Sequence, residues 1–415
     1  MTTPPAEARN PHARRQLPKP AELAPLLRLR RPTLNPVDRR LARATDIWEL
    51  RAAAQRAAPK AVFDYVDGAA EEELTLSRIR QEYRAIEFRP RVLRDVSMID
   101  PSTTLLGSPA SLPLAFAPTG YTRMMHHEGE IAVGRAAQRL GIPYGLSTVG
   151  TTTPEDLRAS CPDASLWFQL YVWKDRAETK RLVERARDRG YTALLFTVDT
   201  PIAGNRQRDT RNGLTIPPEL TLRTIAGMAT RPAWWINKLT TPTMGFACVP
   251  EAWGSDEVDM AGNMFDPAVT YEDLEWLRTI WPGTLVVKGV QTIEDAKESV
   301  ARGADAIVLS NHGGRQLDRT SSVLRLLPEV VRELGNDAEV LIDSGILRGA
   351  DVVAAVALGA RGVLVGRAYL YGLMAGGERG VQRAGELLEQ EIRTCMALLG
   401  ARTVDDLTPD LVRLA

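Results

Sequence analysis

Beyond residue 112 the chain repeats one unit eight times: a short apolar run ending in polar or glycine residues, then an amphipathic stretch. The runs are Leu114 to Gly120, Tyr144 to Thr148, Leu166 to Tyr171, Ala193 to Asp199, Leu285 to Gly289, Ala306 to Asn311, Val340 to Gly345 and Gly362 to Gly366. Runs without sustained alternation suit strands buried on both faces, as in a parallel sheet. The stretches between them carry helix signals. Thr153-Pro154-Glu155-Asp156, Thr270-Tyr271-Glu272-Asp273 and Thr292-Ile293-Glu294-Asp295 put a capping hydroxyl before acids that favour a helix N-terminus. Asp175 to Gly190 is apolar at Leu182, Val183 and Ala186 and ends on glycine. Eight strand–helix units in series predict an α/β fold, the (β/α)8 TIM barrel, with an open doubly wound sheet as the competing arrangement.

The rest of the chain divides around that barrel. Residues 1–45 read as an irregular proline- and arginine-rich arm, with Pro18, Pro20, Pro25, Pro32 and Pro36 beside Arg28, Arg30 and Arg31. Proline removes N–H donors and fixes φ, so a long helix is disfavoured there. Thr45-Asp46 opens a helical stretch, an N-terminal extension of a barrel unit spanning 46–405, and 406–415 reads as a C-terminal tail. Residues 202–268 form a long insertion after the fourth strand, where such loops usually have ~2–6 residues. A loop in that position lies on the catalytic face of a barrel and is a candidate lid or docking element.

Composition narrows the partners. Lys plus Arg and Asp plus Glu both total 52, so the chain lacks the charge footprint of a nucleic-acid binder. Cys161, Cys248 and Cys395 are scattered, with neither a disulfide framework nor a zinc spacing, which fits a reducing cytosol. No segment approaches ~18 consecutive apolar residues, and the N-terminus lacks a signal-peptide apolar region. The expectation is a cytoplasmic protein, with peripheral attachment to the inner face of the cell membrane left open.

Reactive residues of a barrel sit at the C-terminal ends of its strands. Strand six ends in Ser310-Asn311-His312-Gly313-Gly314-Arg315, and His312 is the only one of four histidines at such an end. Histidine is the usual general base near neutral pH, and Arg315 is placed to clamp a carboxylate. Strand four ends at Asp199, which can hold His312 and stabilise its protonated form, and Arg206 follows. Strand three offers Gln169 and the phenol of Tyr171. Strand five ends in Lys288, a cation that burial disfavours unless an anionic partner, an anionic cofactor group or a Schiff base accounts for it. Asp343-Ser344-Gly345 and Gly366-Arg367 end strands seven and eight, where barrels commonly bind phosphate. No GxGxxG loop follows a first strand, so a Rossmann NAD site is unsupported. His126-His127-Glu128 suggests a metal, but adjacent histidines diverge on a helix, so it reads as a helix-start cluster and no metal is expected.

From about residue 45 to 405 the chain resembles the FMN-dependent 2-hydroxy acid oxidases and dehydrogenases. The Ser310-to-Asp318 string is the most specific motif, supported by Phe63-Asp64-Tyr65, Ala117-Pro118-Thr119, Phe168-Gln169-Leu170-Tyr171, Thr197-Val198-Asp199-Thr200-Pro201 and Val287-Lys288-Gly289. Within the family it is most similar to quinone-dependent L-lactate dehydrogenases of actinobacterial type, through the proline-rich arm, Thr122-Arg123-Met124-Met125-His126 and Gly366-Arg367-Ala368-Tyr369-Leu370-Tyr371-Gly372. The resemblance implies FMN as cofactor and a small 2-hydroxy acid as substrate. It makes His312 the base, Asp199 its partner, Arg206 and Arg315 the carboxylate clamps with Tyr65, and Tyr171 the phenol near the substrate hydroxyl. Lys288 would stand beside the flavin, with Thr119, Gly120, Ser147, Gln169 and Thr197 around the ring and Asp343, Gly345, Gly366 and Arg367 along ribityl and phosphate.

Some positions depart from the family pattern. Leu347 stands where the family often has arginine, shifting phosphate binding onto backbone and onto Arg348 or Arg367. Val149 replaces an aromatic found in some oxidases. Gly120 is commoner in the family's dehydrogenases, which favours a quinone or another acceptor over oxygen. The resemblance also implies a homotetramer. Trp234, Trp235, Met244, Phe246 and Trp253 in the 220–260 part of the insertion suit either a membrane surface or a lid over the site. Competing functions are oxidation of another acid, such as glycolate or mandelate, by oxygen or a different acceptor, and, more remotely, a non-redox FMN-dependent isomerase.

Overall fold

The computed structural model describes residues 19–24, 35–213, 229, 231–250, 253 and 264–414. Its centre is a closed barrel of eight parallel strands, which settles the choice against an open sheet. They are β1 (Leu114–Phe116), β2 (Tyr144–Ser147), β3 (Leu166–Leu170), β4 (Ala193–Thr197), β5 (Thr284–Val290), β6 (Ala306–Leu309), β7 (Glu339–Ile342) and β8 (Gly362–Val365), each paired with its sequence neighbour and β8 with β1. All eight lie within the apolar runs of the sequence or within a residue of them. Both faces of the strands are buried: Ala115, Trp167, Leu195, Val286, Val308, Leu341 and Leu364 belong to one apolar cluster, and alternate residues pack in another with the surrounding helices. A hairpin, Thr103–Leu105 with Ser108–Ala110, adds Leu105, Leu106 and Ala110 to the first cluster.

The helices start where their caps stand. Thr153, Thr270 and Thr292 accept backbone N–H groups from Asp156, Glu272 and Asp295, and Asp46 accepts from Glu49. Each satisfies a donor that the first helical turn leaves open. The arm departs from its irregular reading at Pro36–Arg43, a helix with Asn35 as cap and Pro36 in the first turn, where the missing N–H has no partner to lose. The arm's positions 1–18 and 25–34, and 214–228, 230, 251–252 and 254–263 of the insertion, lie outside the described residues. The C-terminal segment is built into the fold: Val412–Arg413 pairs with Glu87–Phe88, and Leu407 and Leu411 are buried.

The helices Ile47–Ala57 and Lys60–Asp67 bring the N-terminal extension to the catalytic end of the barrel. Buried Asp67 ties them together. Arg51 binds its two oxygens at 2.5 and 2.8 Å, the Tyr371 hydroxyl donates at 2.9 Å and Arg208 at 3.1 Å. Burial opposes the Asp67 charge, yet Arg51, Tyr371 and Arg208 outweigh it and hold the carboxyl below its ordinary range. Its contribution to stability is therefore present above the unfolded carboxyl range and is lost as the pH falls through the depressed value.

Candidate active site

A cavity of about 570 Å³ opens at the C-terminal ends of the strands. Every predicted site residue lines it except Asp199 and Arg348. Strand register sets the floor: Ser147 pairs with Gln169, and Thr197 with Lys288. Lys288 is 5% exposed, 2.9 Å from Asp343 and donating to Ser310 Oγ at 3.0 Å. Burial alone would lower its pKa, but Asp343 and Asp199 raise it above the ordinary lysine value, so it remains a cation. The ion pair answers the desolvation problem legible in the sequence, and an amine held protonated is a poor Schiff-base nucleophile.

His312 follows β6 with φ of 54°, a left-handed conformation uncommon outside glycine. Its backbone N–H donates to Ser310 Oγ at 3.0 Å, and Gly313 N–H donates to Ser344 Oγ at 3.1 Å. The turn aims Nδ1 at Asp199 Oδ1, 2.9 Å away. Burial disfavours the Asp199 charge, but His312, Lys288 and Thr200 overcome it, and the carboxyl lies below its usual range. An ionised Asp199 selects the tautomer with Nδ1 protonated, leaving Nε2 to accept a proton. The approach depends on Gly289, at φ 111° in an irregularity of β5, where a Cβ would stand 2.7 Å from the Asp199 side chain. Tyr171, half-buried in the cavity wall, has its pKa raised by desolvation and by Asp199 and remains a phenol donor.

The same cavity is lined by two cations. Arg315 and Arg206 lie 4.7 and 5.6 Å from the Tyr65 ring, one guanidinium carbon each. Arg315 also donates to the Tyr65 carbonyl, and to Gly68 O at 3.3 Å. Burial, then Arg206, pushes the Arg315 pKa down. Two like charges facing one cavity are relieved when an anion enters, and a guanidinium fork matches a carboxylate.

The cradle fits a flavin nucleotide. Gln169 accepts from Ser147 Oγ at 2.9 Å and Thr148 N at 3.3 Å, while its Nε2 is buried with no partner, a donor awaiting an acceptor. At Gly366 a Cβ would meet nothing closer than 3.9 Å, leaving backbone open to a ligand. Gly345 holds φ 77°, and a Cβ there would press on Ile79 at 2.9 Å. Thr119 is held by the Tyr369 hydroxyl at 2.6 Å.

Arg348 is a correction. It stands outside the cavity lining, 2.7 Å from Glu391 and 3.0 Å from Asp46, so two carboxylates hold its charge. Arg367 lines the cavity, but its guanidinium donates to Val66 O and Gly68 O at 2.9 and 2.8 Å. His126, His127 and Glu128 bring ligand atoms within 4.8 Å of one another, closer than adjacent positions suggest, because they precede the helix Gly129–Leu140 rather than ride on it. Glu128 is engaged by the Glu378 N–H at 2.6 Å. Sequence reasoning assigned no role to Ser310, Ser344 or Gln316. The first two lie in strand-end strings already singled out. Gln316 donates to the Asp199 and Ile202 carbonyls, a link that sequence spacing does not reveal. Phe246, Met264 and Phe265 of the insertion also line the cavity, and Phe265 packs 5.2 Å from Tyr171.

Comparison with known proteins bears directly on this arrangement. The family model described as FMN-dependent dehydrogenase matches residues 54–414. A Mycobacterium tuberculosis protein named "Putative L-lactate dehydrogenase" is 51% identical over 395 residues, 95% of either chain. An L-lactate dehydrogenase of Pseudomonas paraeruginosa is 42% identical, covering 88% of this chain and 97% of its own. Among solved structures, a monotopic membrane protein, (S)-mandelate dehydrogenase, superposes with a TM-score of 0.86 at 38% identity, over 90% of this chain and 100% of that one.

Proposed function

The chain belongs to the FMN-dependent dehydrogenase family, and from that premise we propose that it oxidises L-lactate to pyruvate and passes the electrons to a membrane quinone. The observation that carries the reading is that His312, paired with Asp199, lines the same cavity as Arg315, Tyr65 and Arg206. Bound FMN supplies the two-electron acceptor, and Gln169, Ser147, Thr197, Lys288 and the glycine loops after β7 and β8 are the residues to hold it. The arginines fix the carboxylate and so limit how the 2-carbon can lie. His312 takes a proton from the substrate at Nε2, and ionised Asp199 stabilises the imidazolium. Tyr171 stabilises the oxygen as it becomes a carbonyl. Lactate is favoured over bulkier acids because the L-lactate dehydrogenases named above share more of this sequence than the mandelate dehydrogenase. An anaerobic titration tests it: L-lactate should bleach the flavin, while D-lactate, glycolate and L-mandelate should not. Bleaching by one of the others alone would reassign the substrate.

Two features support a quinone at a membrane. Gly120 sits under Val149, and an alanine Cβ would come within 2.4 Å of its side chain, so packing favours the glycine associated with dehydrogenases. In the insertion, the helix Pro232–Leu239 exposes Ile236 (60%) and Leu239 (76%) next to Trp234 and Trp235. Apolar residues beside tryptophan suit the bilayer interface. No helix among the described residues is long and apolar enough to cross a membrane, so attachment would be peripheral. The protein should float with anionic phospholipid vesicles, and Ile236→Asp with Leu239→Asp should leave it in the soluble fraction. Equal flotation of both proteins would remove this helix from the contact.

A further inference from the structure

We propose that Lys238 and Arg123 together bind the phosphate group of an anionic phospholipid beside the insertion helix Pro232–Leu239. The inference rests on the membrane reading above and adds a headgroup site to the apolar face of that contact.

Two bonds dock the helix on the barrel. Trp234 Nε1 donates to the Met124 carbonyl at 3.1 Å, and Arg123 Nη2 donates at 2.6 Å to the carbonyl of Pro242, just beyond the helix C-terminus. Arg123 is itself held in place. Its backbone N–H donates to Thr151 Oγ1 at 3.2 Å and its Nε to the His127 carbonyl at 3.4 Å. Gly129, at φ 51°, leaves room for this side chain, because a Cβ there would collide with it. The Arg123 guanidinium thus bonds carbonyls only, and no carboxylate among the described residues takes up its charge.

Lys238 stands in the last turn of the helix, and its Nζ is buried with no hydrogen-bond partner. Burial, then Arg123, pushes its pKa down to about 8, with no acidic group among the described residues to offset them. At neutral pH the ammonium is still largely protonated. A buried cation is costly unless it is paired, and two cations that repel each other are relieved by an anion. The helix surface indicates which anion. Ile236 and Leu239, on either side of Lys238 in sequence, are exposed. A soluble ion gains nothing from exposed apolar side chains. A phospholipid presents phosphate at the level where its acyl chains begin, so it meets the cations and the apolar residues at once. The flexible lysine stem lets the ammonium move out to the phosphate, while Arg123 keeps a fixed direction.

Flotation would be measured with vesicles of phosphatidylcholine alone and of phosphatidylcholine with phosphatidylglycerol, for wild type, Lys238→Met and Lys238→Arg. Methionine keeps the apolar stem and removes the charge. Lys238→Met should lose about fivefold in partitioning onto the phosphatidylglycerol vesicles, the value of one cation at an anionic surface, and stay within about twofold on phosphatidylcholine. Lys238→Arg should remain close to wild type on both. Lys180→Met removes the same charge from the outer helix Arg176–Asp188 and should have no such effect; an equal loss there would reduce Lys238 to net charge and overturn the site. Equal partitioning of wild type and Lys238→Met onto phosphatidylglycerol also overturns it. Inorganic phosphate separates lipid from free ion: a Tm rise in wild type that Lys238→Met abolishes, with vesicle partitioning unchanged, would overturn the lipid assignment in favour of a soluble phosphate. Wild type that floats with neither vesicle would remove the membrane reading, and this proposal with it.

Discussion

His312→Gln is expected to bind FMN with unchanged visible absorption and to lose flavin reduction by L-lactate on the order of 10⁴-fold. Glutamine approximates the length of the imidazole and keeps a donor for Asp199 Oδ1, which His312 now meets at 2.9 Å. It has no group that accepts a proton near neutral pH. Asp199 cannot take over. It lies outside the cavity lining, away from a substrate held there. The turn itself should persist, because the Ser310 and Ser344 hydroxyls hold it through backbone N–H groups that the substitution leaves in place. Stopped-flow absorbance under anaerobic conditions measures the effect. Reduction within tenfold of the wild-type rate would show that the essential base lies elsewhere.

Arg315→Lys retains a positive charge, yet it should lower kcat/KM by about 10²- to 10³-fold. The loss is geometric. A guanidinium offers a planar fork to a carboxylate, whereas an ammonium offers one compact point of charge. Arg315 also lies over Tyr65 at 4.7 Å and donates to the Gly68 carbonyl at 3.3 Å, contacts that set the direction of the fork. Lysine reaches less far and cannot keep those bonds and the substrate together. Both KM and kcat should suffer, because the clamp binds the acid and also aligns its reacting carbon. The two arginines destabilise each other in the free protein, so an inert carboxylate such as oxalate should raise the Tm of wild type. That rise should shrink in Arg315→Lys. A variant with wild-type kcat/KM and an undiminished oxalate shift would remove Arg315 from the clamp.

The amino-acid sequence by itself determined the barrel and most of the residues that line its cavity. Strands buried on both faces must be apolar throughout, so their positions stand out even in runs of four or five residues. Once those runs are found, the polar residues that end them are the ones that line the cavity, so Gln169, Lys288 and His312 are legible as cavity residues. Helix starts were equally legible, since a cap such as Thr153 or Thr292 acts on N–H groups two or three residues away.

Tertiary structure alone decided which groups meet across long separations. His312 reaches Asp199 because barrel closure and the irregularity at Gly289 bring two strand ends together, 113 positions apart in sequence. The charge at the β7–β8 end shows the same limit. Arg348 is adjacent in sequence to the right loop, but Asp46 and Glu391 claim its charge, whereas Arg367 lines the cavity and two backbone carbonyls orient it. Arg80, which lines the same cavity, arrives from the helix Leu74–Ala85 outside the barrel, and nothing local in the sequence marks it. Sequence gives a side chain its chemistry and its strand or helix, whereas its partner depends on packing between elements distant along the chain. Burial then decides what an arginine or a carboxylate does, because charge removed from water must find a counter-charge or a ligand.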